Sequence, residues 1–411
     1  MLLPFRSRNF RLYYIGQAIS LIGTSMTQVA TSWLVYHLTN SAWMLGLVGF
    51  ASLIPSLVLI PVGGIFADRW KRHRVLLVTQ IMGMLQSLAL TWLALSGTIN
   101  IWQITLLSLF QGIINAFEIP TRQAFLPETV EKKSLGNALA LYSSLVSVSV
   151  MLGPAVAGVL IAVVGSGICF LLDTISYFTV IAALLAMRLA PKQVVISRAK
   201  PLEELKASFI YAFRFLPIRS VLIGSALVCF VWGFYLALGP IFAREVLHGG
   251  PNMFGFLMTA SGLGTLAGGI YLSWRNSVLG LERILAFGIA LTGVSLMVFA
   301  LSQLLWLSLL SLVLAGFGFI MQIIAGRTVV QLLVTDENRG QITSLYVITS
   351  TGAVPIGNLV AGALASNIGA VNTVIFGASI CIVGSLLFTQ QFSAFDDLVR
   401  LNLDARGFNI K

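Results

Sequence analysis

Charge is scarce in this chain, and its scarcity decides the class of protein. Only 9% of the 411 residues are Asp, Glu, Lys or Arg, while 57% are hydrophobic. Soluble domains carry about 25% charged residues, so this composition cannot supply a soluble surface. Apolar runs of about 20 residues, the length that spans a bilayer, recur along the whole chain. The sequence therefore predicts an all-α integral membrane protein.

Cysteine and histidine are also rare, with three of each. The cysteines fall in separate apolar runs without a CxxC pair, so we predict neither a disulfide nor a zinc site but small buried side chains. No GxxxxGK[ST], HExxH or GxSxG sequence occurs, and these are the patterns of ATP, zinc and hydrolase sites. We predict no metal, no cofactor and no enzymatic activity. The cysteines are Cys169, Cys229 and Cys381.

Twelve transmembrane spans are predicted, several of them interrupted by Gly or Pro, which membrane helices tolerate. The first span follows a basic N-terminus and has no small-residue cleavage site, so we interpret it as a retained span rather than a signal peptide. The spans cover residues 12–38, 41–67, 74–96, 100–121, 135–164, 167–188, 219–247, 252–274, 281–302, 304–331, 340–367 and 370–391.

The basic residues predict the orientation of these spans. With twelve spans, all of the 25 Lys and Arg residues except Arg244 fall on the same side as the N-terminus. Basic residues concentrate in cytoplasmic loops, so both termini are predicted to be cytoplasmic. The net charge of +11 therefore reflects membrane orientation, and no nucleic-acid partner is predicted.

A long polar interval divides the chain almost in half. Residues 190–218 contain three prolines and a basic amphipathic segment, which predicts a cytoplasmic linker with a helix lying on the membrane surface. The predicted domains are a six-helix half at 1–189, this linker, a second six-helix half at 219–391 and a cytoplasmic tail at 392–411.

The two halves resemble each other in sequence. GGIF at 63–66 matches GGIY at 268–271 with an offset of 205, and Arg122 matches Arg327 with the same offset. The pair Gly153 and Gly158 matches Gly357 and Gly362 with an offset of 204. Matches at one offset indicate an internal duplication, here of two halves in the same orientation, as in parallel transporter repeats.

One segment concentrates the scarce charge. GGIFADRWKRHR at 63–74 has charged or histidine side chains at six of its twelve positions. It resembles the signature of the loop between spans two and three in the major facilitator superfamily. Gly64, Asp68, Arg69 and Arg72 fill the signature positions, which implies the superfamily's twelve-helix transporter fold.

Two further stretches resemble the same superfamily. VSVMLGPAVAG at 148–158 is similar to the antiporter motif of the fifth span, matched by Gly153, Pro154 and Gly158, although Ser149 and Ala157 replace two glycines. EIPTRQAFLPETV at 118–130 resembles the branch that contains enterobactin-type siderophore and macrolide exporters.

Membrane orientation explains the basic residues of the loop segment but not its glycine pair or Asp68. The pair Gly63–Gly64 permits close helix approach. The second copy keeps the glycines but has Ser273 and Trp274 where the first has Asp68 and Arg69. We interpret Asp68 and its arginines as a latch that holds inner helix ends across the interface between halves when the outside is open.

Carboxyl groups within spans are costly in lipid and default to functional hypotheses. Asp173 and Glu118 are the candidates for proton coupling, with Glu245 a third. Glu118 is also one turn from Arg122, so the two side chains can pair as a brace of the gate rather than titrate. Asp173 can likewise be a hydrogen-bonded structural residue.

Polar stripes mark candidate walls of a cargo cavity. One runs along span four and one along span one, and the superfamily resemblance implies that spans one, four, seven and ten line the cavity. Amide and aromatic groups on apolar walls suit an amphipathic organic cargo, although each residue alone is equally explained by packing and interhelical hydrogen bonds. The candidates are Gln17, Thr24, Gln28, Gln111, Asn115, Trp232, Tyr235 and Gln322.

These observations predict an exporter of a siderophore-like or drug-like compound in the bacterial inner membrane, working by alternating access against protons. Its predicted partners are the small cargo, protons and membrane lipids. Two alternatives share the architecture or part of it, a gradient-driven importer or facilitator and a membrane receptor that does not transport.

Overall fold

The computed structural model describes residues 3–188, 215–275, 280–334 and 339–390. Within these ranges the chain forms twelve long α-helices, three short 3₁₀ turns, one π-helical turn at Phe242–Val246 and no strand. The predicted all-α, twelve-helix fold is confirmed. The helices are α1 Arg8–Thr39, α2 Ala42–Arg69, α3 Arg72–Leu95, α4 Ile101–Phe125, α5 Leu135–Val164, α6 Ser166–Ala186, α7 Leu216–Ile241, α8 Pro251–Trp274, α9 Leu281–Leu301, α10 Leu305–Leu333, α11 Arg339–Ile368 and α12 Ala370–Thr389.

Each predicted span coincides with one helix, and α1 differs from the others in polarity. Among the described residues, eleven helices are long enough and apolar enough to cross a membrane. Helix α1 has 32 residues, ample length for a bilayer, but polar side chains recur along it. Most of the predicted linker and the whole predicted tail at 392–411 lie outside the described residues.

Local side-chain chemistry fixes several helix ends. Ser7 and Ser41 cap α1 and α2 by accepting a backbone N–H with their hydroxyls. Asn100 begins α4 in a reciprocal capping box with Gln103. Such caps satisfy N–H groups that the first helical turn leaves without a partner.

The described residues divide into two compact units. The first comprises Met1–Arg198 and Gly239–Thr259, and the second comprises Ala199–Leu238 and Ala260–Lys411. In the first unit α1 packs on α5 and α6, α2 on α4, and α3 on α4 and α6. In the second unit α9 packs on α10 and α12, and α11 on α10 and α12. The pairs α3–α4 and α9–α10 correspond in the duplicated halves, as do α3–α6 and α9–α12.

Small residues bring the helices of each unit together. A Cβ on Gly63 would overlap the carbonyl oxygen of Ala116, so α2 and α4 touch backbone to backbone. Gly264 stands in the same relation to the carbonyl oxygen of Val313 between α8 and α10. Close backbone approach at small residues is the usual way in which membrane helices associate.

Apolar side chains cover the outer surfaces of the helices. Trp92, Trp102 and Trp306 are 74%, 64% and 82% exposed and lie near helix ends. Tryptophan is enriched where a membrane meets water. The exposed surface is thus suited to lipid, as the composition predicts.

Candidate functional site

The polar face predicted on α4 forms two consecutive side-chain pairs. Gln111 donates from Nε2 to Oδ1 of Asn115 at 3.1 Å. One turn further along, Arg122 donates from Nη1 to Oε1 of Glu118 at 3.2 Å. The Glu118 and Arg122 side chains are 9% and 20% exposed, so the predicted pairing occurs and is largely removed from solvent.

Asp173 lies at the junction of α1, α3 and α6 and is 1% exposed. Its carboxylate accepts a hydrogen bond from Thr27 at 2.8 Å, and Ser87 and Ser176 lie within 3.3 and 3.2 Å of its oxygens. Thr24 is also within hydrogen-bonding reach. The group therefore sits among neutral hydroxyls inside a helix bundle, an arrangement that can hold a proton as well as release it.

Tyr177 lies one turn from Asp173 on α6 and has polar groups of two other helices near its hydroxyl. Thr24 and Gln111 are within hydrogen-bonding reach of its hydroxyl, and it interacts electrostatically with both Asp173 and Glu118. Its ring fills the space that Gly83 leaves on α3. We call these polar side chains of the first unit, from Asp173 to Arg122, the polar network.

Two tyrosines at the Arg122 end of this network were missed by sequence reasoning. Tyr13 and Tyr142 interact electrostatically with Arg122, and they belong to an apolar cluster around Phe125. Within the described residues neither hydroxyl has a hydrogen-bond partner. Tyr13 is one turn before Gln17 on the predicted α1 stripe, and extending that stripe toward the N-terminus would have found it.

Arg72 connects the loop segment 63–74 to the end of α4. Arg72 donates to the carbonyl oxygen of Ala124 at 3.2 Å and to Glu128 at 2.8 Å, which joins the start of α3 to the end of α4. Arg69 is exposed, and the side chain of Asp68 lies outside the described part. These two contacts of Arg72 are made within the first unit, and the predicted hold across the halves stays a prediction.

The two glycines of this segment differ in their surroundings. Gly63 makes the tight contact with α4, while a Cβ on Gly64 would meet nothing within 4 Å. The expectation that both glycines serve close approach is wrong for Gly64. Gly268 and Gly269 in the second copy behave in the same way, because only one of two adjacent helix residues can face a given neighbour.

The antiporter-like motif occupies two contacts in the first unit. A Cβ on Gly153 would overlap Ser25 of α1. Gly158 lies against the start of α8, where an added Cβ would come within 3.0 Å of Gly255, and a Cβ added to Gly255 would lie 2.6 Å from the carbonyl oxygen of Pro154. The motif is thus a crossing point of three helices.

A further polar contact joins the end of α1 to the π-helical turn. The Tyr36 hydroxyl donates to Glu245, and Arg244 donates to Asn40 at 2.9 Å and lies over the Tyr36 ring. Sequence reasoning assigned Arg244 to the outside alone and did not pair it. The available signal was Glu245, an acidic residue directly after the isolated basic residue Arg244.

The remaining cavity candidates differ in exposure. On α1, Gln17 is buried, Thr24 half-buried and Gln28 exposed. In the second unit, Trp232 stacks on Phe319 at 4.3 Å and packs against Tyr235.

The second unit also buries its polar candidates among neighbours. Gln322 donates to Ser225 at 2.6 Å, and Tyr235 donates to Ser261 at 3.2 Å. Trp232, Tyr235 and Gln322 are at most 8% exposed, so their lining of a cavity stays a prediction.

Comparison with known proteins identifies the family. A family described as a transmembrane secretion effector matches residues 1–402. The chain belongs to this family. Transmembrane secretion effectors are transporters of the major facilitator superfamily, so the predicted superfamily is confirmed and the chain is a multi-pass membrane transporter rather than an enzyme.

Several relatives of this transmembrane secretion effector are named for their cargo. The staphyloferrin A transporter of Staphylococcus aureus is 28% identical over 97% of this chain and 99% of that protein. The enterobactin exporter EntS of Citrobacter koseri is 25% identical over 92% and 90% of the two chains. Macrolide efflux protein A of Streptococcus pyogenes is 22% identical over 88% and 90%. The predicted resemblance to the branch that contains enterobactin-type siderophore and macrolide exporters is confirmed.

A solved structure shows the same fold. The peptide transporter POT superposes with a TM-score of 0.77 at 12% identity, covering 95% of this chain and 96% of that one. At this identity the likeness concerns the fold of the transmembrane secretion effector and carries nothing about its cargo.

Proposed function

We propose that the protein is a secondary active transporter that exports an amphipathic organic compound, siderophore-like or drug-like, across the cytoplasmic membrane by alternating access. The observation that carries the proposal is the buried polar network of the first unit, with two carboxyl groups inside helices. Such groups are expensive in a membrane and mark substrate or proton pathways. The names of the relatives support the cargo class, since they include siderophore and macrolide transporters.

Proton antiport is the proposed source of energy. Asp173 is held by hydroxyl groups of Thr27, Ser87 and Ser176, which can accept a hydrogen bond from the protonated acid as well as donate one to the carboxylate. Loss or gain of a proton therefore leaves the group with partners. Glu118 is the second proposed proton site, because it is another buried carboxyl group of the same unit.

The inner helix ends supply the proposed gate. Arg72 joins α3 to the end of α4, and Glu118 braces Arg122 on the same helix. Together with Gly64, Asp68 and Arg69 these residues form the gate inferred from the loop signature. Both termini lie on the cytoplasmic side in this proposal.

The proposal is tested by transport in inside-out membrane vesicles loaded with a pH gradient. Staphyloferrin A, enterobactin and a macrolide serve as cargo probes. We expect uptake of at least one probe into inside-out vesicles that collapses when the gradient is dissipated. We expect Asp173→Asn to lose most of the gradient-driven component, because the amide keeps the shape of the side chain but cannot exchange a proton.

A matched control removes a carboxylate outside the network. Glu131 is exposed, and Glu131→Gln should leave gradient-driven transport intact at equal expression. Transport in right-side-out vesicles alone would instead identify an importer, and the absence of flux for every probe would favour a receptor. Transport by Asp173→Asn and Glu118→Gln that still depends on the gradient would remove both residues from the coupling site.

A further inference from the structure

Two buried phenol groups lie at one end of the polar network. Tyr13 is 1% exposed, and within the described residues the hydroxyls of Tyr13 and Tyr142 make no hydrogen bond. Their rings lie in the apolar cluster that includes Leu76, Phe125 and Leu184. An unpartnered buried hydroxyl is destabilising, so a site that keeps two of them calls for a ligand.

The duplicated half supplies an internal comparison. Tyr346 is the counterpart of Tyr142 at the offset of 204. Its hydroxyl donates to the carbonyl oxygen of Ile323 at 2.8 Å and accepts from Ser225 at 3.1 Å. The fold can therefore satisfy a tyrosine at this position from within the chain. In the first copy this position is Tyr142, whose hydroxyl has no partner within the described residues and which interacts electrostatically with Arg122 and Glu118.

The charged groups at this position define what the phenols face. Arg122 interacts electrostatically with Tyr13, Tyr142 and Glu118. Its guanidinium has five N–H donors in a planar fork, and Glu118 engages Nη1 at 3.2 Å. The Arg122 side chain is 20% exposed, so its neighbours do not enclose it completely.

The chemistry of the set favours an anionic oxygen ligand. The guanidinium can only donate, each phenol hydroxyl can donate or accept, and Glu118 accepts when ionised. Guanidinium and hydroxyl donors match the oxygens of a carboxylate. A cationic ligand would face the positive charge of Arg122.

We propose that Tyr13, Tyr142 and Arg122 form a subsite that binds a carboxylate group of the cargo, with Glu118 competing for the guanidinium. The subsite lies where the polar network meets the end of α4 and the start of α5. This inference rests on the proposed function, because it describes how the exported compound is recognised. It narrows the cargo from amphipathic compounds in general to those that carry a carboxylate.

The test is the binding of citrate, a simple polycarboxylate, to the purified full chain in nanodiscs of zwitterionic lipid, measured by isothermal titration calorimetry. We expect Tyr142→Phe to weaken citrate binding about tenfold, since a hydrogen bond to a charged group is lost. Arg122→Gln should weaken it at least as much. Glu118→Gln should strengthen it, because the variant removes the competing negative charge.

Tyr346→Phe is the matched control, because it removes the same hydroxyl from the equivalent position of the second copy and should leave citrate affinity unchanged. The strengthening by Glu118→Gln cannot arise from misfolding, which only weakens binding. The absence of citrate binding to the unaltered chain, or an equal loss in Tyr142→Phe and Tyr346→Phe, overturns the subsite. A third outcome also overturns the subsite: Glu118→Gln binds citrate more weakly than the unaltered chain, and Arg122→Gln binds the cation tetraphenylphosphonium more strongly.

The failure of this inference is distinguishable from the failure of the proposed function. Vesicles that export a probe while citrate binding does not follow the predicted order of variants disprove the subsite alone. If the variants bind citrate in the predicted order of affinity but no probe is transported, export is disproved and the anion-binding subsite is supported.

Discussion

At the scale of single residues, neighbouring glycines with the same chemistry have different consequences. Gly63 faces the backbone of α4 at Ala116, whereas Gly64 faces open space. The sequence GGIF does not distinguish them, because which glycine faces a neighbour depends on the rotation of α2 about its axis. Close approach could be predicted from the pair, but its assignment to one member needed the packed helices.

Alanine substitutions separate these two positions. Gly63→Ala should lower the free energy of unfolding by about 1–3 kcal/mol, because the added methyl group overlaps a carbonyl oxygen that belongs to the backbone. Gly64→Ala should raise it by up to about 1 kcal/mol, since alanine is the better helix former. Thermal unfolding of the two variants in the same detergent measures the difference. Equal midpoints would mean that α2 and α4 are not in backbone contact at Gly63.

At the scale of elements, the junction between α1 and the π-helical turn was the least predictable part of the fold. Hydropathy predicts the helices themselves, because about 20 apolar residues are needed to cross a bilayer. It contains no information about polar partners that are far apart in the chain. Tyr36 and Glu245 are 209 positions apart, and the π-helical turn that presents Glu245 has no signature in the sequence.

A double-mutant cycle tests whether this junction stabilises the first unit. Tyr36→Phe keeps the ring under Arg244 and removes only the hydroxyl that donates to Glu245. We expect a coupling free energy of about 0.5–1.5 kcal/mol between Tyr36→Phe and Glu245→Gln, the usual net value of one hydrogen bond. Thermal unfolding of both single variants and the double variant provides the measurement.

The control for this cycle pairs Glu245→Gln with Tyr271→Phe, a tyrosine that is 45% exposed on α8. Those two substitutions should be additive, because distant sites without shared partners do not couple. Additivity in the Tyr36 cycle as well would show that the junction contributes nothing measurable to stability.

At the scale of the whole molecule, the duplication is visible in backbone conformation as well as in sequence. Gly165 and Gly369 stand between the last two helices of each half at the offset of 204. Their φ angles are 84° and 82°, a backbone conformation that residues other than glycine rarely adopt. The two-fold repeat could therefore be predicted from sequence. The polar network of the first copy could be predicted only in parts, because its members come from α1, α3, α4, α5 and α6.

The orientation of the chain can be measured by labelling single cysteines. The native cysteines Cys169, Cys229 and Cys381 are all buried, so background reaction with a membrane-impermeant maleimide should be low. Lys71 and Thr98 are exposed and lie in connections at opposite ends of α3. We expect Lys71→Cys to react only in inside-out vesicles and Thr98→Cys only in intact cells. The reverse pattern would place both termini outside.

The connections that follow the odd-numbered helices are short. Helices α1 and α2 are joined by two residues, α5 and α6 by Gly165 alone, and α11 and α12 by Gly369 alone, while the connection between α3 and α4 has five residues and that between α7 and α8 has nine, five of them in the π-helical turn. If these connections face the medium, as the basic residues predict, the cell surface displays little flexible polypeptide from them. These connections would offer few binding sites to antibodies, proteases or phage. An affinity tag meant for intact cells should be inserted between Ser96 and Asn100.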